Sequence, residues 1–153
     1  MIFSDVDGVM TDGGLYYSAE GESLKRFNVK DGMIAARLRD AGFKLGVLTG
    51  RYSRHVETRF KELNYDFIVQ GSEDKLADLR KIIDDTQLRL ENVAYIGDDI
   101  NDKGLLGAVG FSACPADAVT EIRQSVDYVT TRKGGHGAYR EFADYILQEH
   151  KNR

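Results

Sequence analysis

The sequence predicts an α/β fold: a parallel sheet, Rossmann-like in its layering, with helices on both faces and a β-hairpin projecting after the first strand. Three observations predict it. Short apolar runs alternate with stretches of helical periodicity, as strands do when crossover helices join them in a parallel sheet. Several of these runs end in glycine beside polar residues, at Asp5-Val6-Asp7-Gly8, Thr49-Gly50 and Gly97-Asp98-Asp99. The chain has 153 residues, 42% of them hydrophobic and 30% charged, which suits one domain over 1–153 with a core of its own.

The elements follow in order. A short strand around Phe3 runs out at Asp5, and Gly8 gives the chain the freedom to turn there. Residues 13–29 read as a hairpin, with 15–17 and 24–29 flanking a turn at 18–22. A two-stranded ribbon is marginal in water, so this one needs a surface, either its own domain or another subunit. Asp31 is expected to cap a helix to about residue 41, with Met33, Ile34, Leu38 and Ala41 inward and Gly42 ending it. Strands are expected at 44–48, 66–69, 93–96, 110–113 and 127–129. Helices fall between them at 53–63, 73–85, 101–108 and 116–123, the second burying Leu76, Leu79, Ile82 and Ile83. Gly134-Gly135-His136-Gly137, read as a mobile loop near the pocket, opens a last helix to about residue 148.

Composition narrows the partners. A net charge of -4 gives no reason to expect nucleic acid or an anionic membrane. No apolar run approaches a membrane span, and the N-terminus shows no export signal. The single Cys114 has no partner for an intrachain disulfide, which fits a reducing cytoplasm.

Ligands of open α/β sheets bind beyond the carboxyl ends of the strands. Asp5, Asp7, Thr49, Gly50, Arg51, Asp98, Asp99, Asn101 and Asp102 fall there, with Lys75 at the start of the helix after the third strand of the sheet. Two carboxylates about 4 Å apart repel by roughly 4 kcal/mol at an effective dielectric near 20. Several such pairs rival the ~5–15 kcal/mol net stability of a domain. Protonation relieves that repulsion, and so does a hard divalent cation; Mg²⁺ suits a few carboxylates, water and a phosphate. Neither acidic stretch is a calcium loop, because Val9, Met10 and Tyr16 in one and Lys103 and Gly110 in the other stand at required positions. Lys75 and the Thr49 hydroxyl would then hold phosphate oxygens. Either acidic stretch alone is also compatible with a plain turn.

Order along the chain distinguishes two chemistries. A phospho-receiver carries its acidic pair on the first strand and its acceptor on a middle one. Here the single-spaced Asp pair comes first, Thr second, Lys third and the remaining acids last. This order resembles the haloacid dehalogenase superfamily of phosphotransferases, with motifs at Asp5-Val6-Asp7-Gly8-Val9-Met10-Thr11, Thr49-Gly50, Lys75 and Gly97-Asp98-Asp99-Ile100-Asn101-Asp102. The resemblance implies that Asp5 attacks phosphorus and Asp7 serves as general acid and then base. It implies Mg²⁺ held by Asp5, the Asp7 backbone carbonyl and Asp98, braced by Asp102, with Thr49 and Lys75 on the phosphoryl group. Neither inter-motif gap holds a folded cap domain.

The chain is therefore similar to the capless branch acting on phosphorylated keto-sugar acids. That likeness extends over Phe27-Asn28-Val29-Lys30-Asp31-Gly32 and residues 134–141. It implies sugar-acid contacts at Asn28, Val29, Lys30, Asp31, Gly32, Gly50, Arg51, Arg59 and Asn101, besides Asp7 and Lys75. It implies a homotetramer built through the hairpin 13–29, with a neighbour helping to cover the site. Arg51 favours 3-deoxy-D-manno-octulosonate 8-phosphate, a lipopolysaccharide sugar precursor, over a nine-carbon nonulosonate 9-phosphate, whose phosphatases have Glu there. Ala36, where comparable octulosonate phosphatases are basic, and the end of the chain at Arg153 are departures bearing on substrate choice. A phospho-receiver and a non-catalytic oligomerisation module, like that attached to some sialic-acid activating enzymes, are the rival readings.

Overall fold

The computed structural model describes residues 1–152. Eight strands and six helices alternate as expected: β1 (Ile2–Ser4), β2 (Tyr16–Ser18), β3 (Gly21–Leu24), α1 (Val29–Asp40), β4 (Leu45–Thr49), α2 (Arg54–Glu62), β5 (Phe67–Gln70), α3 (Lys75–Asp84), β6 (Ala94–Ile96), α4 (Lys103–Leu106), β7 (Phe111–Cys114), α5 (Thr120–Arg123), β8 (Tyr128–Val129) and α6 (Ala138–Lys151). Six strands make one sheet in the order β5-β4-β1-β6-β7-β8, every pair parallel. The hairpin β2-β3 is a separate antiparallel ribbon.

Helices cover both faces because the strands bury side chains on both. Ile2, Leu45, Val47 and Ile96 point to the layer that also takes Ile34, Leu38, Phe60 and Phe142 from α1, α2 and α6. Phe3, Leu48 and Tyr95, one residue out of phase, meet Leu79, Leu105 and Ile122 from α3, α4 and α5. This alternation is the two-residue period of a strand read from both sides. β1 lies between β4 and β6, so the loops after these three strands share one edge of the sheet. The order reverses at β1, the switch point where open α/β sheets bind ligands.

Some local expectations need correction. Asn28, not Asp31, caps α1: its Oδ1 accepts from the Lys30 N–H at 2.9 Å. Asp31 lies in the first turn, and its buried carboxylate accepts from the Arg140 N–H at the start of α6, at 2.7 Å. Asp31 thus ties two helices together instead of starting one. Met33 is 67% exposed rather than inward, since α1 buries the stripe of Ile34, Ala35 and Leu38. The second hairpin strand starts at Gly21 and ends at Leu24, well before the expected 24–29. The stretch 101–108 divides into a 3-10 turn, Ile100–Asp102, and the short α4, while α5 is four residues long. Residues 134–137 are bound down: the Gly135 N–H donates to Val9 O, the Gly134 N–H donates to Asp117 Oδ1, and a side chain at Gly134 would collide with the Gly8 carbonyl. No helix among the described residues is long and apolar enough to cross a membrane.

Candidate active site

The loops after β1, β4 and β6 enclose a cleft of about 250 Å³. Asp5, Asp7, Thr49, Gly50, Arg51, Asp98 and Asn101 all line it, so three separate motifs converge. Gly8 makes that approach possible. Its φ is 85°, and a Cβ there would collide with the Asp98 carboxylate.

Beneath the cleft lies a buried charge cluster. Lys75, on the first residue of α3, has its side chain only 3% exposed. Its Nζ donates to Asp102 Oδ1 at 2.6 Å and lies 2.7 Å from Asp5 Oδ2. The Tyr95 hydroxyl, reaching across from β6, donates to the same Asp102 oxygen at 2.6 Å. Asp102 Oδ2 accepts from the backbone N–H groups of Asp98 and Asp99, at 3.0 and 3.3 Å. Both oxygens of Asp102 are thus engaged, and it braces the loop that presents Asp98. Asp102 holds Lys75 and the Asp98 loop from beneath while its carboxylate stays beside those of Asp5 and Asp98.

Asp5, Asp98 and Asp102 each bring a carboxylate oxygen within 4.8 Å of the others. Burial, then the neighbouring Asp102, raises the Asp5 carboxyl to about 7 against the opposing pull of Lys75. Burial, then Asp5, Asp102 and Asp99, raises Asp98 to about 8. Burial opposes the charge on Lys75, but Asp5 and Asp102 outweigh it and raise its pKa. One cation is shared by Asp5 and Asp102, and among the described residues none balances Asp98 at contact distance. This is the environment a hard divalent ion fits: clustered oxygen donors and unrelieved negative charge.

A stability trend follows. Folded Asp5 and Asp98 keep protons that the unfolded chain loses near pH 4, and Asp31, raised by burial to about 6, acts in the same direction. The metal-free folded state therefore binds more protons than the unfolded state between about pH 4 and 8, and stability falls as pH rises through that window. Melting temperatures in chelator are expected to drop from about pH 5 to about pH 8. Added Mg²⁺ should raise them most at the alkaline end, where it no longer competes with protons.

Asp7 faces a different set of groups. Lys25 Nζ donates to its Oδ1 at 2.5 Å, and Arg51 Nε lies 3.7 Å from its Oδ2. Arg51 also donates to the Tyr17 hydroxyl at 2.9 Å, joining the cleft to the hairpin. Other sugar-acid candidates lie away from the cleft within one chain. Val29 is 67% exposed, and Asn28 Nδ2 donates to Gly135 O. Lys30 lines a separate cavity of about 450 Å³ with His136 and Arg140. Arg59 packs over Gly32 and pairs with Glu62 at 2.9 Å. The sequence reading missed Tyr95 and Lys25. Nothing local marks either: a tyrosine in an apolar strand and a lysine beyond a hairpin are ordinary until the fold places a carboxylate beside them.

Comparisons with known proteins agree with this geometry. Residues 64–142 match the family model described as haloacid dehalogenase-like hydrolase. The 3-deoxy-D-manno-octulosonate 8-phosphate phosphatase of Yersinia pestis is 40% identical over 96% of this chain and 79% of its own length. The corresponding phosphatase from Moraxella catarrhalis, solved with a magnesium ion, a phosphate ion and a KDO molecule, superposes with a TM-score of 0.95 at 38% identity; the match covers 99% of this chain and 87% of that one. The cobalt-bound form of the Haemophilus influenzae enzyme superposes with a TM-score of 0.94 at 38% identity, over 98% of this chain and 88% of its own.

Proposed function

The chain belongs to the haloacid dehalogenase-like hydrolases, and from that premise we propose that it is a Mg²⁺-dependent phosphatase of 3-deoxy-D-manno-octulosonate 8-phosphate, serving lipopolysaccharide sugar biosynthesis. The observation carrying this reading is the meeting of Asp5 and Asp98 at one cleft, with Lys75 beneath it 2.7 Å from Asp5, in a chain 40% identical to an enzyme of that name. The Yersinia pestis and Moraxella catarrhalis relatives described above are eight-carbon phosphatases by name, which favours that substrate over the nine-carbon one.

Asp5 Oδ attacks the phosphorus in line, the bond to the sugar oxygen breaks, and that oxygen takes a proton from the Asp7 carboxyl. Water then gives a proton to the Asp7 carboxylate as its oxygen attacks the aspartyl phosphate, and the bond to Asp5 breaks to release phosphate. Lys75 and Thr49 neutralise and orient the phosphoryl oxygens, and the Asn101 and Gly50 loops frame them. Arg51 takes the substrate carboxylate, for which its planar fork suits a bidentate grip. Asp5, Asp98 and the Asp7 backbone carbonyl would hold Mg²⁺, steadied by Asp102. The ion, when bound, would offset the acids so that a phosphate dianion enters.

The homotetramer belongs to the same reading. Leu15, Tyr17 and Leu24 of the ribbon are 51%, 60% and 47% exposed, an apolar surface that four packed hairpins would bury. Residues 28–32 and Arg59 would then meet the substrate in the assembled enzyme. A cytoplasmic location agrees with the lone Cys114, which is buried and free.

Turnover of the eight- and nine-carbon keto-sugar phosphates, each with Mg²⁺ and with chelator, tests the proposal. Expected is multiple turnover of the eight-carbon ester, at least about tenfold faster in kcat/KM than the nine-carbon one, a difference of ~1.4 kcal/mol, and lost in chelator. A single stoichiometric phosphorylation would instead indicate a receiver, and no activity a scaffold.

A further inference from the structure

Lys25 is a buried cation that the mechanism above leaves unused. It follows β3, and its side chain turns back under the hairpin until only 1% of it is exposed. Its Nζ donates to Asp7 Oδ1 at 2.5 Å and lies 3.2 Å from Glu22 Oε2. Glu22 in turn accepts from the Ser53 hydroxyl at 2.6 Å, and Ser53 caps α2. The same Glu22 carboxylate lies 3.6 Å from Arg51 Nη2. One chain of contacts therefore runs from the start of α2 through the hairpin to the loop after β1.

Burying an ammonium is costly unless carboxylates surround it. Among the described residues Lys25 meets that condition through Glu22 and Asp7, so the three residues hold one another in place. Asp7 needs such a support. A general acid works within hydrogen-bond reach of the atom it protonates, and small misplacements lose much of the effect. With Oδ1 held by Lys25, Oδ2 is the oxygen left to serve the cleft that Asp7 lines, with Arg51 Nε 3.7 Å from it.

We infer that Lys25 is a positioning residue for proton transfer: anchored by Glu22 on the hairpin, it fixes the Asp7 carboxyl so that Oδ2 serves the departing sugar oxygen. This deepens the proposed reaction and rests on it. Lys25 touches neither substrate nor phosphorus; it acts through Asp7. The hairpin thereby becomes part of the catalytic apparatus as well as a projecting surface.

The leaving group separates this role from a merely structural one. An alkoxide cannot depart without a proton, whereas p-nitrophenolate can. In single turnovers with enzyme in excess and Mg²⁺ present, release of the leaving group reports only the first step. Lys25→Met, nearly isosteric and uncharged, is expected to slow release of the octulosonate by about 30-fold or more and of p-nitrophenolate by less than about threefold. Lys25→Arg keeps a cation for Asp7 and should recover most of the loss. Equal slowing of both esters, or no slowing of either, in a variant with the wild-type circular dichroism spectrum would overturn the inference while leaving the phosphatase intact. If Lys25→Met does not fold, Glu22→Gln, which weakens the anchor of Lys25, still decides: octulosonate release slowed at least about fivefold more than p-nitrophenolate release supports the role, and equal slowing of both esters or of neither contradicts it. Inactivity of the wild-type protein on both esters would overturn the proposed function, and this inference with it.

Discussion

Asp5→Asn is expected to abolish multiple turnover, lowering kcat by at least about 10⁴-fold, the scale of losing a covalent nucleophile. The amide keeps the shape of the carboxylate but has no anionic oxygen to attack phosphorus. Its carbonyl can still accept from the Val6 N–H, which meets Asp5 Oδ1 at 2.6 Å. Lys75 keeps Asp102 as a partner at 2.6 Å. The variant also removes one carboxylate from a cluster in which Asp5 helps hold Asp98 up at about 8, so the fold has no charge reason to fail. Steady-state kinetics with Mg²⁺, beside a melting curve, checks this. A folded variant with more than about a hundredth of wild-type kcat would show that Asp5 is not the nucleophile.

Lys75→Met should damage both stability and rate. The Lys75 ammonium sits between Asp5 and Asp102 at 2.7 and 2.6 Å, with the Tyr95 hydroxyl 3.4 Å away. Removing it leaves Asp5 and Asp102 buried without their shared cation. Breaking a buried ion pair from one side costs about 3–5 kcal/mol, and urea unfolding in chelator is expected to show a loss of that size. Mg²⁺ should restore part of it, since the ion supplies positive charge at the same acids. Activity should fall by roughly 10²–10³-fold even where the variant is folded, because a preorganised charge beside the phosphoryl oxygens is lost. Wild-type kcat in a folded Lys75→Met protein would remove Lys75 from the phosphate-binding role.

The sheet and the cleft were legible in the sequence for a shared reason. Strands such as β4, buried on both faces, leave unbroken apolar runs, and the polar residues that close them mark the ligand-binding edge. Asp5, Thr49 and Asp98 come from different strands but need no long-range detail to meet, because parallel topology puts all three strand ends together. The hairpin was read less well. Its side chains are largely exposed in the single chain, so no buried stripe fixes where β3 begins. Asn28 and Asp31 are both good capping residues three apart, and only the packing of α6 shows that Asp31 is used elsewhere. Lys25 and Tyr95 were invisible because each acts through a carboxylate that only the fold brings beside it, Lys25 reaching Asp7 and Tyr95 reaching Asp102. Asp102 was legible as one more acid of the last motif, and its four hydrogen-bonding partners became countable only once the chain was folded.

The proposed reaction turns on Asp5 forming a bond to phosphorus in a cleft that Mg²⁺ would render hospitable to a phosphate. Rapid acid quenching during turnover of the eight-carbon sugar phosphate, followed by peptide mass spectrometry, tests this most directly, because acyl phosphates survive acid. The predicted result is one added phosphoryl group on Asp5, present with Mg²⁺ and absent in chelator. Turnover with Asp5 unmodified at every quench time and the phosphoryl group on another side chain would contradict it.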